Sequence, residues 1–291
     1  MKIRRSLLFL PGNNPGMLQS GGVFEADGVI LDLEDAVSPL EKDSARFLIA
    51  QALRTVNYRK SETFVRINPL SSGGAKDLQK IVPCQPNGLI LPKVESRAEL
   101  EELLGLIVAA EKEGQRPVSV IPLIETPLGV NHCAEIAQTD KRVIALAFGA
   151  EDYTAALGAT RTKEGGEILM ARSLIINAAA AAGIDSIDTP FTDAQDEEGL
   201  LQDSLLAKKM GFKGKLAINP RQVEIIHDAF NPSPDDIRWA KRVLRAIEDA
   251  QSQGSGVIAL DGKMIDAPIV RRAERVLYLA ETFNLTGEVD S

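Results

Sequence analysis

Cysteine and histidine are scarce in this chain. The two cysteines, Cys84 and Cys133, lie far apart, so the sequence holds neither a disulfide framework nor a CxxC metal spacing, as in a reducing compartment. The two histidines, His132 and His227, fall in helical stretches away from any strand end. Zinc chemistry and Ser-His-Asp or Cys-His catalysis therefore lack a ligand or a base. Positive charge is not in excess: the formal net charge is −8, which points away from nucleic acids while leaving room for a local basic patch facing one phosphorylated ligand. Neither GxGxxG nor GxxxxGK[ST] occurs, so the phosphate-cradling turns of nucleotide-binding folds are missing. No apolar run approaches the roughly 18 residues of a membrane span. The run Leu7–Leu10 is cut short by Pro11-Gly12 and is too brief for a signal peptide. A cytoplasmic protein with no nucleic-acid and no membrane partner is expected.

What is present is a repeated alternation. The 291 residues are 44% apolar and 25% charged, a globular balance that suits one large α/β domain or two small ones. Eight short apolar or β-branched runs recur: Ser6–Leu10, Gly28–Leu33, Thr63–Asn68, Gly88–Val94, Val118–Glu125, Val143–Gly149, Ile184–Thr189 and Lys215–Asn219. Most are continuously apolar, as strands covered on both faces must be. Helical patterns separate them. Ser96–Glu113 opens on a Ser96-x-x-Glu99 capping box, Glu164–Ala182 stops at Gly183, and Glu197–Met210 stops at Gly211. The expected fold class is α/β, a TIM (β/α)8 barrel over residues 1–230, with a doubly wound sheet as the alternative. From residue 231 the pattern changes to a C-terminal helix–hairpin–helix extension, 231–291. It comprises a helix Asp235–Gln253, a hairpin Val257–Ile265 around Asp261-Gly262, and a helix Pro268–Asn284.

A barrel of this kind forms its active site at the C-terminal ends of the strands. Those ends carry Asn13, then Asp32, Glu34 and Asp35, then Arg66, Lys93, Glu125, Asp152 and Asp188. Packing alone does not call for so many ionisable groups. Acids with a few cations suit a hard divalent ion held by oxygen and an anionic substrate. Each residue also has a bland explanation. Glu125 is an acid near a helix N-terminus, and Asp152 is a helix cap. Arg66, inside a strand pattern, needs an anionic partner, which Asp32 or Glu34 supplies as a structural ion pair. Lys93 either forms a salt bridge with Glu34, Asp35 or Glu95, or acts as a Schiff-base lysine in an aldolase of another class.

Eight segments in order resemble the citrate lyase β-subunit family within the HpcH/HpaI aldolase superfamily: Arg4–Asn13 (RRSLLFLPGN), Leu31–Asp35 (LDLED), Val65–Asn68 (VRIN), Leu91–Lys93 (LPK), Ile124–Gly129 (IETPLG), Gly149–Tyr153 (GAEDY), Ile218–Gln222 (INPRQ) and Leu260–Asp266 (LDGKMID). The resemblance implies a TIM barrel and Mg²⁺ held by Glu125 and Asp152, with Arg66 on the substrate. It implies an acid/base aspartate, Asp266, delivered by a neighbouring subunit; otherwise Asp266 reads as the N-cap of the last helix. The implied reaction is a Mg²⁺-dependent carbon–carbon cleavage of a 3-hydroxy-carboxyacyl thioester of citryl-CoA or citryl-carrier-protein type, giving a keto acid such as oxaloacetate and an acetyl thioester. Malyl-CoA or citramalyl-CoA lyase or thioesterase activity is the alternative within the family. The implied partners are a CoA or acyl-carrier-protein thioester, other citrate lyase subunits, and copies of the chain in a homotrimer or hexamer. Asn13 is placed where a pantetheine arm meets the first strand end, and Arg4 and Arg5 are either contacts for CoA phosphates or solvated flanks of the strand.

Overall fold

The structure is a computed structural model and describes residues 2–252 and 259–285. Eight parallel strands close into a barrel in sequence order, and β1 pairs with β8. They are β1 (Ser6–Pro11), β2 (Gly28–Asp32), β3 (Glu62–Arg66), β4 (Gly88–Leu91), β5 (Ser119–Ile124), β6 (Ala145–Phe148), β7 (Asp185–Asp188) and β8 (Gly214–Ala217). All eight expected runs are strands, so the TIM barrel replaces the doubly wound alternative. The connecting helices are α1 (Pro15–Ser20), α2 (Lys42–Thr55), α3 (Gly74–Ile81), α4 (Arg97–Ala110), α5 (Pro127–Ala137), α6 (Ala150–Leu157), α7 (Leu169–Ala182), α8 (Glu197–Met210) and α9 (Gln222–Phe230).

Alternation along each strand separates two apolar zones. Leu7, Ile30, Phe64, Ile121, Ile187 and Leu216 fill the barrel interior. Their strand neighbours Leu8, Val29, Val65 and Leu89 face outward into the layer of helices. Burying each such side chain contributes roughly 1.5–3 kcal/mol, and this two-sided burial is why the strands read as unbroken apolar runs.

Local signals set the helix ends, with two differences from expectation. Ser96 caps α4 by accepting from Glu99 N–H at 3.2 Å, but the Glu99 carboxylate accepts from Glu95 N–H at 2.9 Å, so the capping box closes one residue upstream. Helix α7 begins at Leu169 rather than Glu164. Gly165 is left-handed (φ +66°), and a short 3-10 turn, Gly166–Ile168, precedes the helix. Its end at Gly183 (φ +70°) is as expected.

The chain divides into two compact units, Met1–Phe230 and Asn231–Ser291. The second contains α10 (Pro234–Ser252), the hairpin strands β9 (Ala259–Leu260) and β10 (Lys263–Met264), and α11 (Ala267–Thr282). Asp261 and Gly262 form its turn with φ +52° and +74°, the left-handed pair that Asp-Gly favours. Ala240, Val243, Ile265 and Ala273 make a small core within the unit. The expected ends at Gln253 and Val257 lie outside the described residues. No helix among the described residues is long and apolar enough to cross a membrane.

Candidate active site

The inward alternation of the barrel changes chemistry at its last layer. Two residues beyond the apolar positions stand Asp32 after Ile30, Arg66 after Phe64, Glu125 after Leu123, Gly149 after Ala147, and Thr189 after Ile187. These residues line a cavity of about 440 Å³ at the C-terminal ends of the strands, together with Phe9, Asp35 and Asp152. Polar groups on an apolar floor are what a small, oxygen-rich substrate requires.

Arg66 sits at the centre of a buried anionic cage. Its Nε and Nη2 donate to the two Asp32 oxygens at 2.7 and 2.6 Å, a bidentate pair. Nη1 lies 2.8 Å from Glu34 Oε2, without the alignment of a hydrogen bond, and 3.3 Å from Asp35 Oδ2. The Phe9 ring lies 4.8 Å below the guanidinium carbon. The structural ion pair of Arg66 is thus present, with Asp32 as its main partner, and the guanidinium still lines the cavity. Asp32 also accepts the backbone N–H groups of Glu34 and Ala36, which fixes the loop after β2. Burial pushes Glu34 up to about 7 despite the Arg66 charge, with Asp35 and Asp32 adding to the rise.

Glu125 follows β5, Asp152 follows β6, and both line the cavity. Glu125 Oε1 accepts the Lys93 N–H at 2.8 Å from a left-handed backbone (φ +53°). A Cβ on Gly149 would come within 2.7 Å of both Glu125 Cβ and Oε2, so only glycine leaves room for this carboxylate. Asp152 stands in the first turn of α6, with Oδ2 at 3.5 Å from Lys93 Nζ. Lys93 therefore meets Asp152, not Glu34, Asp35 or Glu95. Burial works against its charge, but Asp152, Glu125, Glu34 and Asp35 outweigh burial and raise the ammonium above its ordinary range. A Schiff-base lysine needs the opposite shift.

The donor chemistry fits Mg²⁺. Burial, with the charges of Glu34 and Asp152, pushes Glu125 up to about 8, so its ionised form is disfavoured unless a divalent cation supplies the opposing charge. Among the described residues no group of three or more His, Cys, Asp or Glu is arranged around one point. Two carboxylates suit an ion that keeps water and substrate oxygens in the rest of its octahedron.

Other expected residues lie elsewhere. Asn13 does not line the cavity; its Nδ2 donates to Glu41 Oε2 at 2.9 Å. Arg4 and Arg5 are buried at the opposite end of the barrel, neither solvated nor at the mouth. Arg4 pairs with Glu62 and Asp185, and Arg5 with Asp27, all at strand N-termini. His132 Nδ1 lies 2.8 Å from the Glu95 carbonyl, and His227 is pushed down to about 4 by burial and Arg5. Asp188 points outward into a closed set with Arg172, Lys215 and Asp203. Asp266 is the N-cap of α11, accepting from Ile269 N–H at 3.2 Å, and is exposed in its unit. Sequence reading passed over Phe9, Gly149 and Thr189 as site residues. The period-2 alternation carried into the strand ends marks all three.

The family model of the HpcH/HpaI aldolase/citrate lyase family matches residues 5–220. The citrate lyase subunit beta of Leuconostoc mesenteroides subsp. cremoris is 46% identical over 98% of this chain and 95% of its own length. The mitochondrial citramalyl-CoA lyase of Rattus norvegicus is 36% identical over 95% of this chain and 86% of its own. The structure of CitE from Mycobacterium tuberculosis with magnesium, acetoacetate and coenzyme A superposes with a TM-score of 0.80 at 32% identity, covering 96% of this chain and 98% of that one. With the barrel and its acidic mouth, these likenesses place the chain: it belongs to the HpcH/HpaI aldolase/citrate lyase family.

Proposed function

We propose that this chain is a Mg²⁺-dependent carbon–carbon lyase that cleaves a citryl thioester to oxaloacetate and an acetyl thioester. The carrying observation is the pair Glu125 and Asp152, with Glu125 pushed up to about 8 by its buried, anionic surroundings. The kinship with citrate lyase beta subunits supports the citryl group, and the kinship with citramalyl-CoA lyase keeps the smaller acyl groups as the test's other arms.

Glu125 and Asp152 would hold the Mg²⁺. Bound there, the ion supplies a Lewis acid toward the substrate's carboxylate and hydroxyl oxygens. The chain's own residues do the rest. Asp32 holds the Arg66 guanidinium flat and oriented, so that its remaining edge faces the substrate carboxylate or the developing enolate oxygen. The bond between the hydroxyl-bearing carbon and the thioester α-carbon breaks, and its electron pair becomes the enolate of the acetyl thioester. Asp266, supplied by a neighbouring copy, gives that carbon its proton. The hydroxyl proton leaves to a base as the keto group forms. The thioester arm, on CoA or a carrier protein, runs out of the mouth beside Lys93, where a second concavity of about 570 Å³ carries Lys42, Arg46 and Lys76. Asn13 lies at the end of β1 and would border that arm through its Glu41 pair. Copies of the chain assemble as a homotrimer or hexamer, alone or with other citrate lyase subunits.

The test is keto-acid release from citryl-, citramalyl- and malyl-CoA, with Mg²⁺ or EDTA, repeated with citryl-carrier-protein. Mg²⁺-dependent oxaloacetate from a citryl thioester is expected. Free CoA with an intact hydroxy acid would instead identify a thioesterase, and activity unchanged in EDTA would overturn the metal reading. Asp266→Asn is expected to fold and lose turnover. Full activity with a lower melting temperature would leave Asp266 as a helix cap only.

A further inference from the structure

Helix α6 carries Asp152 but lacks an ordinary cap. Its N-cap residue is Gly149, and no side chain there accepts a hydrogen bond. No capping residue can be placed at that position, because a Cβ would strike the Glu125 carboxylate at 2.7 Å. The first helical N–H, that of fully buried Ala150, has no partner within the helix. The partner comes from another strand: Thr189 Oγ1 accepts from Ala150 N–H at 3.0 Å.

Thr189 is itself held on both sides. The preceding residue, Asp188, is fixed by a bidentate pair with Arg172, at 2.9 and 2.8 Å, and by Lys215 at 2.7 Å. The following residue, Pro190, has its φ fixed by its ring. Thr189 borders the cavity, but it has no exposed surface and its hydroxyl is engaged by the Ala150 N–H, so it acts through the helix.

We propose that Thr189 is a positioning residue that caps α6 from the end of β7 and thereby sets Asp152 against Glu125. It rests on the assignment of those two carboxylates to the cation. Residues that orient a metal's ligands are worth roughly 10- to 100-fold in metal affinity when removed.

The experiment is a titration of the full-length protein with Mn²⁺ in alkaline buffer, with free Mn²⁺ read by electron paramagnetic resonance. Thermal melting in EDTA is recorded in parallel. Thr189→Val keeps the shape and removes the acceptor, and should weaken Mn²⁺ binding roughly 10- to 100-fold. Thr189→Ser keeps the acceptor and should bind as the wild type does. A valine variant that melts earlier yet binds Mn²⁺ like the wild type overturns the proposal and leaves Thr189 as a structural cap. A folded serine variant that loses the ion overturns it as well. If the valine variant does not fold, Thr189→Cys, with its poorer acceptor, takes its place: weakened Mn²⁺ binding supports the proposal, and wild-type binding overturns it. A wild type that takes up no Mn²⁺ overturns the metal assignment itself, and this proposal with it.

Discussion

Two sets of charges stand near the strand ends of this barrel, one buried and one partly open, and they are balanced differently. Behind the wall, Arg172 and Lys215 meet Asp188 and Asp203 at 2.6–2.9 Å, two cations for two carboxylates, with all but Asp203 fully buried. In the mouth, Arg66 and Lys93 face Asp32, Glu34, Asp35, Glu125 and Asp152. The carboxylates report the difference. Burial alone would raise Asp203, but Lys215 and Arg172 outweigh it and hold the group below its ordinary range. Glu125 is also buried, yet its neighbours include like charges and it goes up to about 8. A closed ion set completes itself, as a structural one must. A set with more carboxyls than cations can be completed from outside; under the proposed function that is a divalent cation with its substrate.

The comparison can be broken at either set. The largest effect should come from Glu125→Ala or Asp152→Ala. Each should abolish Mg²⁺-dependent turnover, on the order of a thousandfold or more for the loss of metal catalysis. Asp152→Ala should leave the melting temperature in EDTA little changed, because its 3.5 Å pair with Lys93 is half-exposed. Steady-state kinetics beside thermal melting checks both halves. Next is Arg66→Lys, which keeps the charge but loses the bidentate hold on Asp32. A loss of about 3 kcal/mol in transition-state stabilisation, on the order of a hundredfold in kcat/KM, is expected. Asp203→Asn cuts the balanced set instead. It should cost roughly 3–5 kcal/mol of unfolding free energy by denaturant titration, with turnover per folded molecule little changed. A folded Asp203→Asn variant that loses metal affinity would show that the wall set acts on the mouth even with Asp188 still held by Arg172.

Much of the fold and the mouth is legible in the amino-acid sequence. Unbroken apolar runs mark the strands, and reading their C-terminal ends gathers Asp32, Arg66, Lys93, Glu125 and Asp152 into one mouth. Partners distant in sequence are not legible. Arg4 and Arg5 resemble a solvated strand flank until Glu62 and Asp185 arrive from 58 and 181 residues away. Asp188 sits at a strand end like the mouth residues, but one step of alternation turns it outward to α7 and α8. Thr189 is an ordinary threonine in sequence; its role depends on the buried Ala150 N–H, 39 residues away. For Asp266 the motif implies a role beyond the cap that its own unit provides.

The sign of the pH dependence follows from Glu125. Its folded value, about 8, lies above its ordinary 4.5, so between those values the folded state binds more protons than the unfolded state. Without metal, this group's contribution to stability is full at low pH and is lost as pH rises through 8. Mg²⁺ needs the carboxylate ionised, so its stabilising effect should grow across the same window.

The most direct test is the melting temperature from pH 6 to pH 9, with and without saturating Mg²⁺, for the wild type and Glu125→Gln. If the acidic mouth is a cation site, Mg²⁺ raises the wild-type melting temperature by an amount that increases up to and beyond pH 8, and the glutamine variant shows little or no response. A wild type indifferent to Mg²⁺ throughout that range, or a glutamine variant stabilised as strongly, would contradict it.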